Sequence, residues 1–476
     1  MKKIFFIIFI LTFLGVTEAY SNILHVPGSY ATIQSAINSS SNGDTVLVEP
    51  GTYLENINFR GKRIVVTSRY YLNNDPTFIN STIINGSSPS QPDSASCVRI
   101  TSGEDSTTVL QGFTITGGTG TKWEDIHNAG RYREGGGILI ELSSPVIQNN
   151  IIINNQATNT QGVTSAGGGG MRIGDSYPMI LNNAILFNSG RYGPGIVLNY
   201  TGCIIKNNVI CSNSGGQDYN GGSGIWAWQN ISTGLPKIFE NNSIVNNSAT
   251  VGTAGILVWS TTVTIRNNIV WGNSSPSGVQ ILLLSGIANV TYCDVQGGYT
   301  GAGNINLDPV FADTNYILNN NSPCVDKGDS STIYNDPEDP QHLGFAKYPS
   351  RGTIRNDMGA YGGKGTDLIS GMLIGIIRQN SQVPGNFKLS QNYPNPFNPA
   401  TKISFYIPYY VSRETSNVKI IVYDIAGRII SVLLDDNLMP GKYEVKWDGT
   451  NYASGIYFYK LLTDGFSETN KMILIK

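Results

Sequence analysis

Short runs of alternating apolar and polar character recur along the middle of the chain, and a glycine introduces each run. In each run, the residue after the glycine and the residue two positions later are mostly aliphatic. Alternation with this period is typical of β-strands, because successive side chains point to opposite faces of a sheet. The pattern therefore predicts short strands with one face turned to an apolar core. The five clearest runs are Gly137-Ile138-Leu139-Ile140, Gly170-Met171-Arg172-Ile173, Gly195-Ile196-Val197-Leu198, Gly224-Ile225-Trp226-Ala227 and Gly255-Ile256-Leu257-Val258.

A second phrase follows each run: a pair of asparagines, and a third asparagine five residues after the second member of the pair. Successive copies begin 33, 25, 34 and 26 residues apart, so a constant unit alternates with a loop of variable length. Repeats of this kind predict a β-solenoid, in which each coil of the chain stacks on the previous one. Stacked asparagines would hydrogen-bond the next coil and so satisfy buried polar atoms. The copies are Asn149-Asn150 to Asn155, Asn182-Asn183 to Asn188, Asn207-Asn208 to Asn213, Asn241-Asn242 to Asn247 and Asn267-Asn268 to Asn273.

The segments that flank these repeats resemble a known family. The opening resembles that of pectin-lyase-like right-handed parallel β-helices, in which a short amphipathic helix caps the first coil; here Ile33, Ala36 and Ile37 would form its apolar face. The closing segments resemble those of surface-attached members. We therefore predict an all-β chain with a right-handed parallel β-helix and a helical cap over residues 23–363. The matching segments are 30–38, 43–48, 50–53 and 55–57 at the start, and 308–311, 322–328 and 357–361 at the end.

The N-terminus has the three parts of a secretory signal peptide. Two lysines follow Met1, an apolar run extends from Ile4 to Val16, and a small-x-Ala site ends at Ala19. The apolar run is short for a membrane span. We therefore predict a signal peptide over residues 1–19, cleavage after Ala19, and no transmembrane helix in the mature chain.

The C-terminal segment has a different character from the repeats. Residues 364–386 are predicted to be a linker or docking segment, and residues 387–476 contain short alternating strands typical of a small immunoglobulin-like β-sandwich. The segment resembles the type A sorting domain of the type IX (Por) secretion system. That resemblance implies recognition by the type IX machinery, passage through the outer membrane, and a secreted or cell-surface location. An ordinary accessory module is the alternative. The matching segments are 388–399, 426–428, 447–449, 454–457 and 471–476.

Composition agrees with this organisation and excludes two classes of partner. The chain has 476 residues, 55 of them glycine, only 13% charged residues and a net charge of −2. Helix formers are scarce, whereas Gly, Asn and Ser favour turns, so an all-β protein is expected. No basic stripe is present for nucleic acid, and no polybasic patch for an anionic membrane.

The cysteines and acidic residues predict no cofactor and no definite metal site. The five cysteines are scattered and lack zinc spacing, so buried free thiols are expected, with a Cys203–Cys211 pair as the alternative. An acidic stretch near the end of the β-helix is predicted to be a solvated loop, with calcium binding as the alternative, although its spacing fits no EF-hand. The stretch contains Asp326, Asp329, Asp336, Glu338 and Asp339.

Stacking the glycine-led strands predicts which side chains point outward together. Trp228 and Trp259 fall at the same position of neighbouring coils, with Trp226 beside Trp228. Indole faces stack on the C–H faces of sugars, and neighbouring polar groups can bond hydroxyls, so this surface is a candidate glycan-binding face. The alternative is that the loop 215–223 covers the tryptophans as a local core. The candidate residues are Glu141, Arg172, Asn199, Trp226, Trp228 and Trp259.

A charged loop precedes the Glu141 strand and is predicted to flank the same face. It contains the one histidine of the repeat region, His127, which is more often a solvated surface residue than a catalyst in such a position. The loop residues of interest are Trp123, Asp125, His127, Arg131 and Arg133.

Three functions are compatible with these features. The preferred hypothesis is a non-catalytic, secreted or surface-displayed β-helix that binds extracellular glycan or acts in adhesion. The second is an extracellular polysaccharide lyase or glycoside hydrolase. Arg172 and Asp175 are the single arginine–carboxylate pair that could serve it, and no stacked aspartate cluster suits hydrolysis. The third is a structural surface spacer.

Overall fold

The structure is a computed structural model that describes residues 21–313, 315–366, 387–407, 416–438, 441–463 and 466–476. The predicted signal peptide, residues 1–19, and most of the predicted linker, residues 364–386, lie outside the described residues. The described residues divide into two units. The first contains the residues up to Pro309 and those from Pro323 to Thr366, and the second contains Val310–Ser322 and the residues from Phe387 onward.

Three long parallel sheets form the first unit, and successive strands of each sheet come from successive coils. Sheet A has ten strands: Ile23–Val26, Thr45–Val48, Val65–Ser68, Val109–Gln111, Val146–Gln148, Met179–Leu181, Cys203–Lys206, Lys237–Glu240, Thr261–Arg266 and Gly286–Thr291. Sheet B has nine: Gly51–Tyr53, Thr82–Asn85, Thr114–Thr116, Ile151–Ile153, Ala184–Leu186, Val209–Cys211, Ser243–Val245, Ile269–Trp271 and Asp294–Val295. Sheet C has eight: Ile57–Asn58, Val98–Ile100, Ile138–Glu141, Met171–Gly174, Ile196–Thr201, Ile225–Asn230, Ile256–Trp259 and Ile281–Leu283.

Each repeat coil contributes one strand to sheet C, then one to sheet A, then one to sheet B. The glycine-led strands of the sequence are the strands of sheet C, and their parallel register pairs Ile225 with Ile256. Both side chains are fully buried, as are the inward residues of sheets A and B on the same coil, Phe239 and Ile244. The parallel β-helix is therefore confirmed, with its core inside the coils.

The short helix Ile33–Ser39 caps the first coil, as predicted. Ile33, Ala36 and Ile37 are buried against the core. The Thr32 side chain accepts a hydrogen bond from the backbone N–H of Ser35, which completes a capping box. The Glu55 carboxylate accepts the N–H groups of Ile33 and Gln34, both at 2.9 Å, so a negative charge lies at the positive end of the helix.

Smaller elements decorate the coils. Two short α-helices, Tyr70–Asn73 and Thr77–Ser81, and the 3-10 helix Thr332–Tyr334 lie in connections. A four-stranded side sheet contains Ser94–Ala95, Gly120–Glu124, Arg131–Glu134 and Ser165–Gly167, and a three-stranded one contains Ser189–Gly190, Ser214–Gly215 and Ser248–Ala249. The strands Gly120–Glu124 and Arg131–Glu134 pair in antiparallel fashion and form a hairpin. The sequence pattern does not predict this hairpin or the strands of the two smaller sheets.

The repeated asparagines form two hydrogen-bonded ladders along the β-helix. At the corner between sheets A and B, the amides of Asn150, Asn183, Asn208, Asn242 and Asn268 link neighbouring coils through Nδ2–H to Oδ1 contacts of 2.9–3.2 Å. At the corner between sheets B and C, Asn155, Asn188, Asn213, Asn247 and Asn273 do the same at 2.9–3.1 Å. All ten side chains are buried.

The first asparagine of each pair has a different role from the second. Asn149, Asn182, Asn207, Asn241 and Asn267 have φ values of 50–56°. Asparagine is one of the few residue types that tolerate this left-handed conformation, which turns the chain sharply. The pair therefore combines a corner residue with a ladder residue.

The segment after the last coil packs along the corner between sheets A and B. The amide of Asn207 donates to the carbonyl of Gly362 at 2.7 Å, and that of Asn241 donates to the carbonyl of Asp357 at 2.9 Å. Asp357 in turn accepts the backbone N–H groups of Asp326 and Arg351. These corner asparagines therefore hold the closing segment as well as the turn.

The second unit consists largely of two antiparallel sheets. One contains Lys388–Leu389, Ala400–Ile407 and Gly441–Asp448, and the other contains Ser416–Asp424, Ile429–Leu438, Gly455–Leu462 and Ser467–Leu474. Ile403 of the first sheet and Ile420 of the second belong to one buried apolar cluster with Trp447 and Tyr459. This arrangement agrees with the predicted C-terminal sandwich. Among the described residues of the whole chain, no helix is long and apolar enough to cross a membrane.

The Asn208→Ala variant should lower the free energy of unfolding by about 2 kcal/mol or more, because each buried polar group left unpaired costs about 1–3 kcal/mol. Asn208 accepts the backbone N–H of Asn183 at 2.9 Å and donates to the carbonyl of Ile180 at 2.8 Å. Urea denaturation followed by circular dichroism measures the change. The matched control is Asn159→Ala, whose side chain is exposed. Equal unfolding midpoints for the two variants would contradict a stabilising ladder.

Candidate binding pocket on sheet C

The outward side chains of sheet C line up from coil to coil. The register pairs Asn199 with Trp228, and Trp228 with Trp259. The ring centroids of the two tryptophans are 6.1 Å apart, and that of Trp226 lies 6.2 Å from Trp228. The repeat alignment therefore places the three indoles together, as expected.

The loop 215–223 covers part of this cluster. The carbonyl of Tyr219 accepts the Trp226 indole N–H at 3.0 Å, and the Tyr192 ring lies edge-on to Trp226 at 5.4 Å. Asp218 holds the loop in place through two bonds to Arg191, at 2.6 and 2.8 Å. Trp226 is consequently buried in a local aromatic core, whereas Trp228 and Trp259 stay partly exposed.

A half-open pocket of about 100 Å³ lies between this cluster and the hairpin. Trp228 and Trp259 line it from the sheet side, and Asp125 and Tyr132 line it from the hairpin side. Sequence reasoning did not identify most of the remaining wall, because those residues lie on the hairpin and in connecting segments, outside the repeat pattern. The full lining is Asp125, Ala129, Tyr132, Glu134, Tyr192, Asn199, Tyr219, Trp226, Trp228 and Trp259.

Arg172 and Glu141 lie beneath the hairpin rather than on an open face. The Arg172 guanidinium pairs with the carboxylates of Glu141 and Glu134, at 3.1 Å from the latter, and it lies 4.1 Å from the Trp123 ring centroid. Its side chain is only 1% exposed. A Cβ at Gly174 would overlap both the guanidinium and the Glu141 carboxylate, so glycine makes room for this ion pair.

Glu134 connects the hairpin to the aromatic core. One carboxylate oxygen accepts the Trp123 indole N–H at 2.7 Å, and the other accepts the Tyr192 hydroxyl. Burial, together with the neighbouring negative charge of Glu134, raises the pKa of Tyr192 well above its ordinary value. The Tyr192 hydroxyl therefore stays protonated and acts as a donor.

Asn199 also lines the pocket, and it has an unused acceptor. The residue is 8% exposed, and its Oδ1 has no hydrogen-bond partner. An unpaired buried acceptor is costly unless a ligand or solvent satisfies it. Asn199 therefore brings an unsatisfied buried acceptor to the wall of the pocket.

The remaining residues of the flanking loop separate into two groups. Asp125 reaches the pocket wall, and its Oδ1 accepts the N–H of His127 at 2.8 Å. His127 bonds Asp175 at 3.0 Å and stacks on the Tyr200 ring at 3.6 Å, so it is not simply solvated. Two arginines do not line the pocket: Arg131 pairs with Glu124 at 2.8 Å, and Arg133 with Asp93 at 2.9 Å.

Among the described residues, no group of three or more His, Cys, Asp or Glu side chains is placed to hold a metal ion. Burial raises the pKa of Asp336, with repulsion from Asp357 as a second cause, and both carboxylates accept backbone N–H groups. Asp336 of the acidic stretch is therefore buried in the closing segment rather than solvated, and calcium binding stays the untested alternative.

The five cysteines are buried and form no disulfide bond, so the alternative Cys203–Cys211 pair is wrong. They lie on different sheets of the same coil: Cys203 belongs to the core inside the coils, whereas Cys211 follows the inward residue Ile210 and is buried on the other face of its strand. Cys293 occupies the ladder position after Asn268, whose backbone N–H approaches its Sγ at 3.4 Å. At least this thiol replaces an asparagine at the end of a ladder.

Replacing Arg172 with methionine should destabilise the β-helix by about 3–5 kcal/mol, because two buried carboxylates lose their cation. The matched control, Arg131→Met, removes an exposed pair and should cost about 0–1 kcal/mol. Guanidinium chloride denaturation of both variants distinguishes the two cases. A loss for Arg172→Met as small as that of the control would show that the pair is not structurally required.

Comparison with known protein families identifies the C-terminal unit. Residues 391–476 match the secretion system C-terminal sorting domain, over the antiparallel sheets described above. A search of curated proteins finds no match to the chain. The match agrees with the resemblance seen in the sequence. The chain thus carries a sorting domain of the type IX secretion system, and that system delivers it to the cell surface or the extracellular space.

Proposed function

We propose that the β-helix is a glycan-binding module displayed outside the cell, and that the pocket on sheet C is its binding site. The observation that carries this proposal is the pair of partly exposed indoles, Trp228 and Trp259, at one position of adjacent coils. Large apolar surfaces that stay accessible in a secreted protein commonly mark binding sites. Indole rings offer flat apolar faces against which a sugar ring can stack.

The polar groups around the indoles suit the hydroxyls of a sugar. Asp125 and Asn199 lie in the same wall as the tryptophans, and the amide oxygen of Asn199 is unpaired. A pocket that combines apolar faces with a few convergent polar groups is the usual form of a small-ligand site. The stacked coils supply a rigid support, because each strand of sheet C pairs with two neighbours around the site.

The same geometry disfavours the catalytic alternative for Arg172. Elimination requires a base that can approach the substrate, but the guanidinium is engaged by Glu134 and Glu141 and covered by Trp123. Asp175, its predicted partner in chemistry, bonds His127 instead. Binding is therefore the function that these residues support best.

The glycan proposal is tested by incubating the full chain with an array of neutral, acidic and amino glycans. We expect binding that weakens at least about tenfold in Trp228→Ala and in Trp259→Ala, because buried aromatic anchors dominate binding energy. The matched control is Trp271→Ala, a tryptophan of sheet B that does not line the pocket. Unfolding midpoints measured alongside separate lost binding from lost folding.

Three results would overturn this proposal. New reducing ends or unsaturated products would indicate a lyase or hydrolase. Silence of the intact chain on the array would favour a structural spacer. Equal binding by the pocket variants and by Trp271→Ala would place the ligand elsewhere.

Removing residues 391–476 should abolish delivery to the surface and the medium, because this segment carries the sorting signal. Immunoblotting of cell fractions from a bacterium with type IX secretion measures the distribution. The full-length Trp271→Ala variant serves as the export-competent control. Unchanged export of the truncated chain would contradict the assignment of the sorting signal to this domain.

A further inference from the structure

The charge of the pocket walls restricts the ligand further. Six of the ten lining residues are aromatic, two are carboxylic acids, and none of the ten is Lys, Arg or His. The acids are Asp125 and Glu134. A pocket with this composition offers an incoming group negative charge and aromatic faces, but no positive side chain.

The three indoles are inclined to one another around the cluster. The planes of Trp226 and Trp259 meet at 78°, those of Trp226 and Trp228 at 56°, and those of Trp228 and Trp259 at 47°. The face of an aromatic ring carries negative electrostatic potential and attracts cations within about 6 Å of its centroid. Inclined rings can present such faces to one small group from several directions.

The nearest guanidinium does not neutralise the acids of the wall. Arg172 is shared between Glu134 and Glu141, so two carboxylates pair with one buried cation, and Asp125 is a further carboxylate of the wall. Three more arginines near the wall are paired with acids: Arg191 with Asp218, Arg131 with Glu124, and Arg133 with Asp93. A carboxylate ligand would lose its hydration here without gaining a partner, which is strongly unfavourable.

Asn199 adds a preference for a ligand that donates hydrogen bonds. Its buried Oδ1 has no partner and belongs to a residue of the wall. A primary ammonium can donate to this oxygen, whereas a quaternary ammonium has no N–H to give. The volume of about 100 Å³ holds one small group rather than a chain of rings.

We propose that the pocket selects a ligand with an organic cation, specifically the protonated amine of a deacetylated amino sugar. The ammonium group contacts the faces of Trp228 and Trp259, lies near the Asp125 carboxylate, and donates to Asn199 Oδ1. This inference rests on the proposed glycan function and names the class of sugar. Uronic acids are expected not to bind, because their carboxylates find no positive side chain in the wall.

The test is isothermal titration of the full chain in a slightly acidic buffer of low ionic strength. The ligands are a glucosamine oligosaccharide, its N-acetylated counterpart of equal length, a glucuronate oligosaccharide, and choline. We expect the free-amine oligosaccharide to bind at least about tenfold more tightly than the acetylated one, in line with one or more cation–π contacts. Glucuronate should not bind measurably, and choline should bind more weakly than the amine.

A variant isolates the role of charge. Asp125→Asn keeps an oxygen that can accept the loop N–H groups of His127 and Ala129, now at 2.8 and 3.4 Å. It should lower the affinity for the free amine at least about fivefold more than the affinity for the acetylated oligosaccharide, since a charge-assisted contact is roughly twice as strong as a neutral one. The matched control is Glu124→Gln, an exposed carboxylate on the same hairpin that does not line the pocket.

The outcomes separate this inference from the function on which it rests. Acetylated or uronate oligosaccharide binding as tightly as the free amine would overturn the cation preference and leave glycan binding in place. Binding of choline without any sugar would support the cation site and overturn the glycan function. Absence of binding by all four ligands would overturn both.

Discussion

A carboxamide both donates and accepts hydrogen bonds, so each asparagine can bond the equivalent asparagine on the next coil. The pattern can repeat over any number of coils. In this protein two such ladders run along the corners of sheet B, at Asn150 to Asn268 and at Asn155 to Asn273. Each ladder requires its residue to recur at the same place on every coil. The register of the three sheets follows from that requirement, because a slip of one residue would leave buried amides and backbone groups unpaired.

Fixed register has a direct effect on the outer surface. Side chains that share a position in the repeat become neighbours in space, although about thirty residues separate them along the chain. Trp228 and Trp259 are such a pair, and Glu141, Gly174 and Asn199 occupy the same column. The column is therefore a property of the scaffold. The segments that do not repeat determine which side chains of this column are covered and which stay accessible.

This difference between repeating and non-repeating segments explains which features could be predicted from the sequence. Alternation and the asparagine spacing predicted the strands of sheet C, the inward residues Ile225 and Ile256, and the adjacency of Trp228 and Trp259. The C-terminal sorting domain was also recognisable, because its motifs extend over its whole length. These features follow from short-range patterns of residues, which can be recognised in the sequence alone.

The surroundings of the candidate pocket were harder to predict, because they depend on contacts between distant loops. Arg172 was expected to be exposed, but the hairpin that contains Trp123 and Glu134 buries it. Tyr192 and Tyr219 lie in irregular segments and carry no periodic signal. The sequence contains one weak clue: a basic residue, Arg172, occupies a strand position that is apolar in the other repeats, so its charge requires a compensating partner.

The variable segments that build the pocket wall leave the coils at one place, the connection from sheet B to sheet C. The hairpin between Thr116 and Ile138, the segment of Tyr192, and the loop 215–223 all arise there. The ladder asparagines lie at the start of this connection or earlier in the coil, and strand pairing resumes after the connection. The residues that form the β-helix are thus separate from the residues that form the pocket wall. Insertions at this corner can therefore change which ligand binds without changing the β-helix.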